Sequence, residues 1–280
     1  MTTIALTGAT GQLGRLAIAA LTARGETPIA LARSPEKAAD LGVETRAFDY
    51  TAPDAAALAG VDVLVLISSN DFNDRSGQHA NVIAAAKAAG VSRVVYTSLL
   101  KGDASPMILA QDHIATEATL KASGLTYTIL RNGWYLENLT GSLEAALAHG
   151  AVIGSAGTGL FSAAARADFA EAIAVIASST GHDNAVFELA ADSAFTMAEF
   201  AAELGRQSGK PIRYDSLPET TYADILIGFG LPESFARILA DSDAWAAKGA
   251  LHDDSRTLSR LIGRPTTPMA EAIRTALAAI

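Results

Sequence analysis

The stretch Thr7-Gly8-Ala9-Thr10-Gly11-Gln12-Leu13-Gly14 reads G-x-x-G-x-x-G, directly after the apolar run Ile4-Ala5-Leu6 and at the head of an amphipathic segment beginning at Gln12. Small residues at these positions let the backbone turn sharply and come close to a bulky anion. A helix opening there points its unpaired N–H groups and the positive end of its dipole at the same anion. The anion implied is a pyrophosphate. A glycine-rich tight turn in an α/β fold that binds no nucleotide has the same letters, so context has to decide.

That context is regular. Up to residue 131, short apolar runs alternate with Ala-rich amphipathic segments, the pattern of repeated βαβ units. Strands are expected at Ile4–Thr7, Pro28–Ala32, Val43–Phe48, Val61–Ile67, Arg93–Thr97 and Thr126–Leu130. Helices are expected at Gln12–Arg24, Pro35–Asp40, Asp54–Ala59, Gly77–Ala89 and Gln111–Ala122, each ending near a glycine (Gly25, Gly42, Gly60, Gly90, Gly124). The fold class expected is therefore α/β: a Rossmann-type doubly wound parallel sheet with a small C-terminal substrate-side subdomain. The domains expected are a core over 1–131 and a mixed α/β subdomain over 132–280. The latter carries helices at Glu137–His149, Arg166–Ser178 and Thr196–Gln207, and a strand Val186–Ala190 that returns to the main sheet.

The second strand ends at Arg33, where NAD-selective sheets place a carboxylate on the ribose hydroxyls. A guanidinium can grip a 2′-phosphate bidentately, so NADP(H) is favoured over NAD(H). A solvated helix-start arginine is the bland alternative. Ser68, Ser69 and Asn70 follow the fourth strand at the sheet edge that faces a cofactor, and an ordinary Ser/Asn turn would look the same. The fifth strand delivers Ser98 and Lys101 to that edge. After the sixth come Asn132, Gly133, Trp134, Tyr135, Leu136, Glu137 and Asn138, an aromatic and amide-rich loop suited to planar ligands.

No tyrosine has a lysine four residues on, so the Tyr–Lys pair with which many short-chain dehydrogenases protonate ketones is missing. In its place stands His113-Ile114-Ala115-Thr116-Glu117, whose i,i+4 spacing puts the ring and the carboxylate on one helix face.

Composition narrows the function. Thirty acidic against 21 basic residues give a net charge of −9, which argues against nucleic-acid partners and anionic membranes. With no cysteine, thiolate catalysis and thiolate metal sites are excluded, and no metal site is expected. The N-terminal residues read as a strand rather than a signal peptide and no long apolar run follows, so a cytoplasmic location and no membrane association are expected.

Taken together, these segments resemble the NmrA-like branch of the atypical short-chain dehydrogenases, and within it the bacterial NAD(P)H:quinone oxidoreductases. The likeness is co-linear: Gly8–Gly14, Arg33-Ser34-Pro35-x-Lys37, Tyr96-Thr97-Ser98-Leu99-Leu100, His113-x-x-x-Glu117, Leu130–Tyr135, Arg166-Ala167-Asp168, Glu188-Leu189-Ala190, Ser208-Gly209-Lys210 and Asp253-Asp254-Ser255-x-Thr257-Leu258. The resemblance implies that Gly8, Ala9, Thr10, Gly11, Gln12, Leu13 and Gly14, with Arg33, Ser68–Asn70 and Asn132–Glu137, hold the cofactor, and that Asn138 sits near a quinone. Lys101 stands where that subfamily is expected to have histidine. The activity expected is hydride transfer from NADPH to a small quinone, with Asn138, Tyr135 and Lys101, in that order, as donors to the oxygen that gains charge. A non-catalytic NADP(H) sensor, and a reductase of another activated small carbonyl or imine, remain open, as does a homodimer.

Overall fold

A computed structural model describes residues 2–280. Among the described residues nine strands and eleven α-helices follow in chain order: β1 Ile4–Leu6, α1 Gln12–Ala23, β2 Ile29–Ala32, β3 Thr45–Ala47, β4 Val63–Leu66, α2 Arg75–Ala88, β5 Arg93–Leu99, α3 Ala110–Ala122, β6 Thr126–Asn132, α4 Leu136–Thr140, α5 Leu143–His149, β7 Ala151–Gly154, α6 Arg166–Ala177, β8 Ala185–Leu189, α7 Met197–Ser208, β9 Arg213–Ser216, α8 Glu219–Gly228, α9 Glu233–Ala246, α10 Thr257–Ile262 and α11 Met269–Leu277.

The main sheet has the order β3-β2-β1-β4-β5-β6-β8, and the pairings of β1 with β2 and β4, of β2 with β3, and of β5 with β4 and β6 are all parallel. This is the Rossmann-type α/β architecture. The order reverses at β1, and a ligand crevice forms at such a switch point, outside the carboxyl ends of the strands. Every residue of β1, β2, β4 and β5 is buried, because crossover helices cover both faces of a parallel sheet. One core cluster joins Leu64, Leu66, Val82, Val94, Tyr96 and Ile129.

The chain divides into two compact units. The first comprises residues 1–102, 112–132 and 166–188, and the second 103–111, 133–165 and 189–280. The single boundary expected after 131 is thus crossed twice, by 103–111 and by 166–188. In the first unit α6 packs on α1. In the second, β7 and β9 pair in parallel with Ala151 opposite Arg213, and α7 is closed by a capping box in which Thr196 and Glu199 satisfy each other's backbone N–H.

Three local expectations need correction. Pro35–Asp40 and Asp54–Ala59 are 3-10 turns, Pro35–Leu41 and Ala55–Leu58, rather than α-helices. The helix expected over Glu137–His149 breaks at Gly141-Ser142 into α4 and α5. The short strands β7 and β9 replace what reads in sequence as irregular chain. Among the described residues no helix is long and apolar enough to cross a membrane.

Candidate functional site

At the carboxyl end of β1 the chain turns through Gly8, whose φ of +62° belongs to the left-handed region that only glycine enters without strain. Gly11 caps α1 with no side-chain hydrogen bond, and the first turn of α1 contains no acidic residue. Its leading N–H groups therefore keep no internal partner. Gly14 lies so close to the loop that a Cβ there would run into the Gly8 carbonyl oxygen and approach the Ala9 Cα to 2.8 Å. Ala9 and Leu13 are buried, so they can offer a ligand only backbone, whereas Gly11 and Gln12 are exposed. The result is an open, uncapped helix N-terminus held tightly against a glycine turn.

Tyr50, which the sequence reading missed, fixes this turn from below. Its hydroxyl lies 2.6 Å from Thr7 Oγ1 and 2.8 Å from the Ile67 carbonyl oxygen, tying the ends of β1 and β4 together. The only sequence signal was a polar Asp49-Tyr50-Thr51 run after the third strand. Burial raises the phenol's pKa against the opposing influence of Thr7 and the Arg33 charge.

Arg33 follows β2 and is exposed. Among the described residues it makes no hydrogen bond or ion pair, although its charge is felt at Asp49 and Tyr50. An unpaired cation at this strand end suits a phosphate on the adenosine ribose. With the glycine cradle, it means that the residues present fit NADP(H).

The loop after β4 is less available than its sequence suggests. The Ser69 hydroxyl donates to Gln78 Oε1 at 2.7 Å and accepts from the Asp71 N–H at 3.1 Å, so it serves the loop itself. The Ser69 N–H donates to His79 Nε2 at 2.9 Å and its carbonyl accepts from Arg75 Nε at 2.7 Å. Because His79 Nε2 accepts, its proton sits on Nδ1. From there it is directed at Thr116 Oγ1, 2.9 Å away, whose own hydroxyl donates to the Asp112 carbonyl. Burial and the neighbouring Arg75 cation push the His79 pKa down to about 3, so the ring stays neutral and keeps its acceptor. Ser68 is half-buried and Asn70 exposed.

The His113–Glu117 pairing suggested by i,i+4 spacing does not form. His113 Nδ1 lies 2.8 Å from the Tyr96 hydroxyl, and burial holds this imidazole well below its usual pKa. Glu117 instead takes a bidentate pair from Arg131 at 2.7 and 2.8 Å, a hydrogen bond from Ser98 at 2.7 Å and another from Lys121 at 3.1 Å. Burial opposes its ionisation, but these donors outweigh burial and lower its pKa. Arg131 also reaches Glu188 at 2.9 Å, and the second oxygen of Glu188 accepts the Lys101 N–H at 2.8 Å. This anchor holds Lys101 in a left-handed conformation, φ +69°, which is uncommon outside glycine.

Asn132 ends β6, buried, and its carbonyl accepts the Leu100 N–H at 2.9 Å. In the second unit, Gly133 donates to the Leu189 carbonyl at 2.7 Å, and Trp134 and Leu136 exchange backbone hydrogen bonds with Ala164. The side chains of Trp134 and Leu136 are buried, and the Trp134 carbonyl and the Leu136 N–H are taken by Ala164. Tyr135 and Glu137 are half-buried and Asn138 is exposed on α4.

A family model described as NAD(P)H-binding matches residues 8–180. Quinone oxidoreductase 2 of Escherichia coli K12 is 51% identical over 277 residues, covering 96% of this chain and 97% of that protein. The crystal structure of the E. coli enzyme QOR2 complexed with NADPH superposes with a TM-score of 0.94 at 50% identity, over 98% of this chain and 100% of that one. Citrobacter triphenylmethane reductase complexed with NADP(H) follows at a TM-score of 0.91 and 35% identity, over 98% and 100%.

Proposed function

Because the chain belongs to the NAD(P)H-binding family, in its NmrA-like branch, we propose that it is an NADPH-dependent quinone oxidoreductase. The observation that carries this reading is 51% identity, across nearly the full length of both chains, to a quinone oxidoreductase. NADPH, when bound, supplies the hydride.

The remaining work falls to the protein's own groups. The N–H groups that open α1, from Gln12 to Gly14, receive the pyrophosphate, while the Gly11 N–H closes the turn on the Gly8 carbonyl, and Arg33 receives the 2′-phosphate. The β4 loop, fixed by His79 and Arg75, presents Ser68 and Asn70 as polar contacts. Within Asn132–Glu137 much of the backbone is already hydrogen-bonded, so the half-buried Tyr135 and Glu137 supply the further polar contacts. A quinone gains aromaticity as it is reduced, so the oxygen that gains charge needs only a hydrogen-bond donor or water. A missing Tyr–Lys pair is therefore compatible with quinones and unfavourable for unactivated ketones. Asn138 is the first candidate donor and Tyr135 the second. Lys101 is the third, its backbone set by Glu188.

The test is NADPH consumption with simple quinones and, in parallel, an aliphatic ketone. Quinone-dependent oxidation with little ketone turnover is expected. Robust ketone reduction with inert quinones would overturn the assignment, and tight NADPH binding with no turnover of any acceptor would favour a sensor.

A further inference from the structure

β1 and β4 are the pair between which the sheet order reverses, so the ligand crevice opens at their carboxyl ends. Their ladder is short. Ile4, Ala5 and Leu6 stand opposite Val63, Leu64 and Val65, and the Thr7 N–H donates to the Val65 carbonyl at 3.0 Å. From Thr7 onward side chains take over from the ladder. The Ile67 N–H donates to Thr7 Oγ1 at 3.1 Å, and the Tyr50 hydroxyl lies 2.6 Å from the same Oγ1 and 2.8 Å from the Ile67 carbonyl oxygen.

A phenol has one proton to give and the Ile67 carbonyl can only accept it, so the contact with Thr7 is closed by the threonine hydroxyl donating to the phenol oxygen. The Val65 carbonyl, at 3.3 Å, is that hydroxyl's longer alternative. Thr7, Tyr50 and Ile67 thus form a closed ring in which each hydroxyl donates once and accepts once, and hydrogen bonds arranged in this way polarise and strengthen one another. The ring is held from outside as well. Thr7 is fully buried, the half-buried Tyr50 packs on the core cluster of Leu64 and Leu66, and Asn81 on α2 donates to the Tyr50 and Thr51 carbonyls at 3.4 and 3.2 Å. Gly8 rests against it: a Cβ there would come to 3.3 Å from the Tyr50 hydroxyl and 3.5 Å from the Ile67 side chain. Because a Cβ at Gly14 would in turn run into the Gly8 carbonyl, any drift of the Gly8 turn passes directly to the first turn of α1.

We propose that Tyr50 is a positioning residue for the cofactor's pyrophosphate. It acts through Thr7 and Ile67, which fix the Gly8 turn and with it the aim of the N–H groups that open α1. Its role rests on the glycine turn as the phosphate cradle and requires nothing of the acceptor. The 2′-phosphate end of the cofactor belongs to Arg33 and does not depend on this ring, so loss of the Tyr50 hydroxyl is felt by ligands that carry a pyrophosphate and not by those that lack one.

The test is calorimetric titration of the full chain with three ligands: NADPH, 2′-phospho-ADP-ribose, which keeps the pyrophosphate but lacks the nicotinamide, and 2′-AMP, which lacks both. Tyr50→Phe should weaken NADPH and 2′-phospho-ADP-ribose by about five- to tenfold, the effect of one positioning hydrogen bond, and leave 2′-AMP within about twofold. Thr7→Val should reproduce that pattern, and Thr7→Ser, which restores the hydroxyl, should return all three affinities to within about twofold of wild type. The double variant Tyr50→Phe, Thr7→Val should lose no more than the larger single loss, because the two hydroxyls act as one unit. If Tyr50→Phe fails to fold, the contrast between Thr7→Val and Thr7→Ser decides. Urea melts run alongside separate positioning from mere support: a lower midpoint with unchanged affinities overturns the assignment. A loss for 2′-AMP as large as for NADPH, or a double variant whose loss is the product of the single losses, overturns it as well. A wild type that binds 2′-phospho-ADP-ribose no more tightly than 2′-AMP would show that the turn takes no pyrophosphate, and would remove the phosphate cradle together with the role of Tyr50.

Discussion

Replacing Arg33 with alanine should change which nicotinamide cofactor the protein prefers. Among the described residues Arg33 has no hydrogen-bond or ion-pair partner, only a charge felt at Asp49 and Tyr50, so its removal breaks no such bond and its effect falls on the ligand. A charge-assisted contact to a phosphate is worth about 1.5–3 kcal/mol, and at about 1.4 kcal/mol per decade that is roughly a ten- to hundredfold loss of NADPH affinity. The exposure of the side chain places the expected value toward the lower end and makes it sensitive to ionic strength, since exposed charges are screened over about 10 Å at 0.1 M salt. NADH lacks the 2′-phosphate and should bind wild type and variant almost equally. Equilibrium titration of both cofactors into both proteins, at low and high salt, supplies the four constants needed. Equal losses for NADPH and NADH would refute the reasoning, because they would mean that Arg33 supports the loop rather than reading the phosphate.

Gly14→Ala should lift α1 from the Gly8 turn, costing about 1–3 kcal/mol by overpacking and weakening both cofactors alike, as denaturant melts and the same titrations would record. Glu117→Ala removes the bidentate partner of the Arg131 guanidinium, whose side chain is 12% exposed, but leaves it paired with Glu188, so it should cost less than the roughly 3–5 kcal/mol of an uncompensated buried charge, seen as a lower urea midpoint with unchanged slope. His79 and His113 are held neutral in the fold, with pKa values pushed below the unfolded value, to about 3 for His79. Between about pH 6.5 and 3 the unfolded chain binds the extra protons, so their contribution is intact above pH 6.5 and lost on acidification. His79→Gln should flatten that acid limb in melts run from pH 7 to 4. Asn138→Ala should lower quinone turnover by less than the roughly 2.7–4 kcal/mol of a preorganised oxyanion donor, because water can substitute. NADPH affinity should stay within a few-fold, and unchanged steady-state quinone kinetics would remove Asn138 from the site.

The parallel sheet was legible because buried strands and amphipathic helices impose two different periods on the chain, and glycines mark each helix end. The glycine turn and Arg33 were legible because each residue type has a narrow physical use at that position. What escaped the sequence was long-range pairing. Ala151-Val152-Ile153-Gly154 and Arg213-Tyr214-Asp215-Ser216 are too short and too mixed to announce strands, and each is stabilised by a partner about sixty residues away. Tyr50 is an ordinary tyrosine until Thr7 and Ile67 come to meet it. The His113–Glu117 spacing was read correctly as one helix face, but local proximity lost to stronger distant partners: Arg131 on β6 offers Glu117 two parallel hydrogen bonds, and Tyr96 on β5 engages the ring.

The position of β8 bears on how the polypeptide is made. It lies beside β6 at the end of the main sheet, yet it is translated only after the whole stretch from Gly133 to Asn184. At about 5–20 residues per second, β6 stays an open hydrogen-bonding edge for roughly 3–11 s on the nascent chain. During that interval Thr126–Asn132, with its Thr-Tyr-Thr-Ile-Leu core, is a template for pairing with other chains. A gene fragment stopped near residue 131 would make that interval permanent, and its product should accumulate in inclusion bodies rather than as a free-standing nucleotide-binding half.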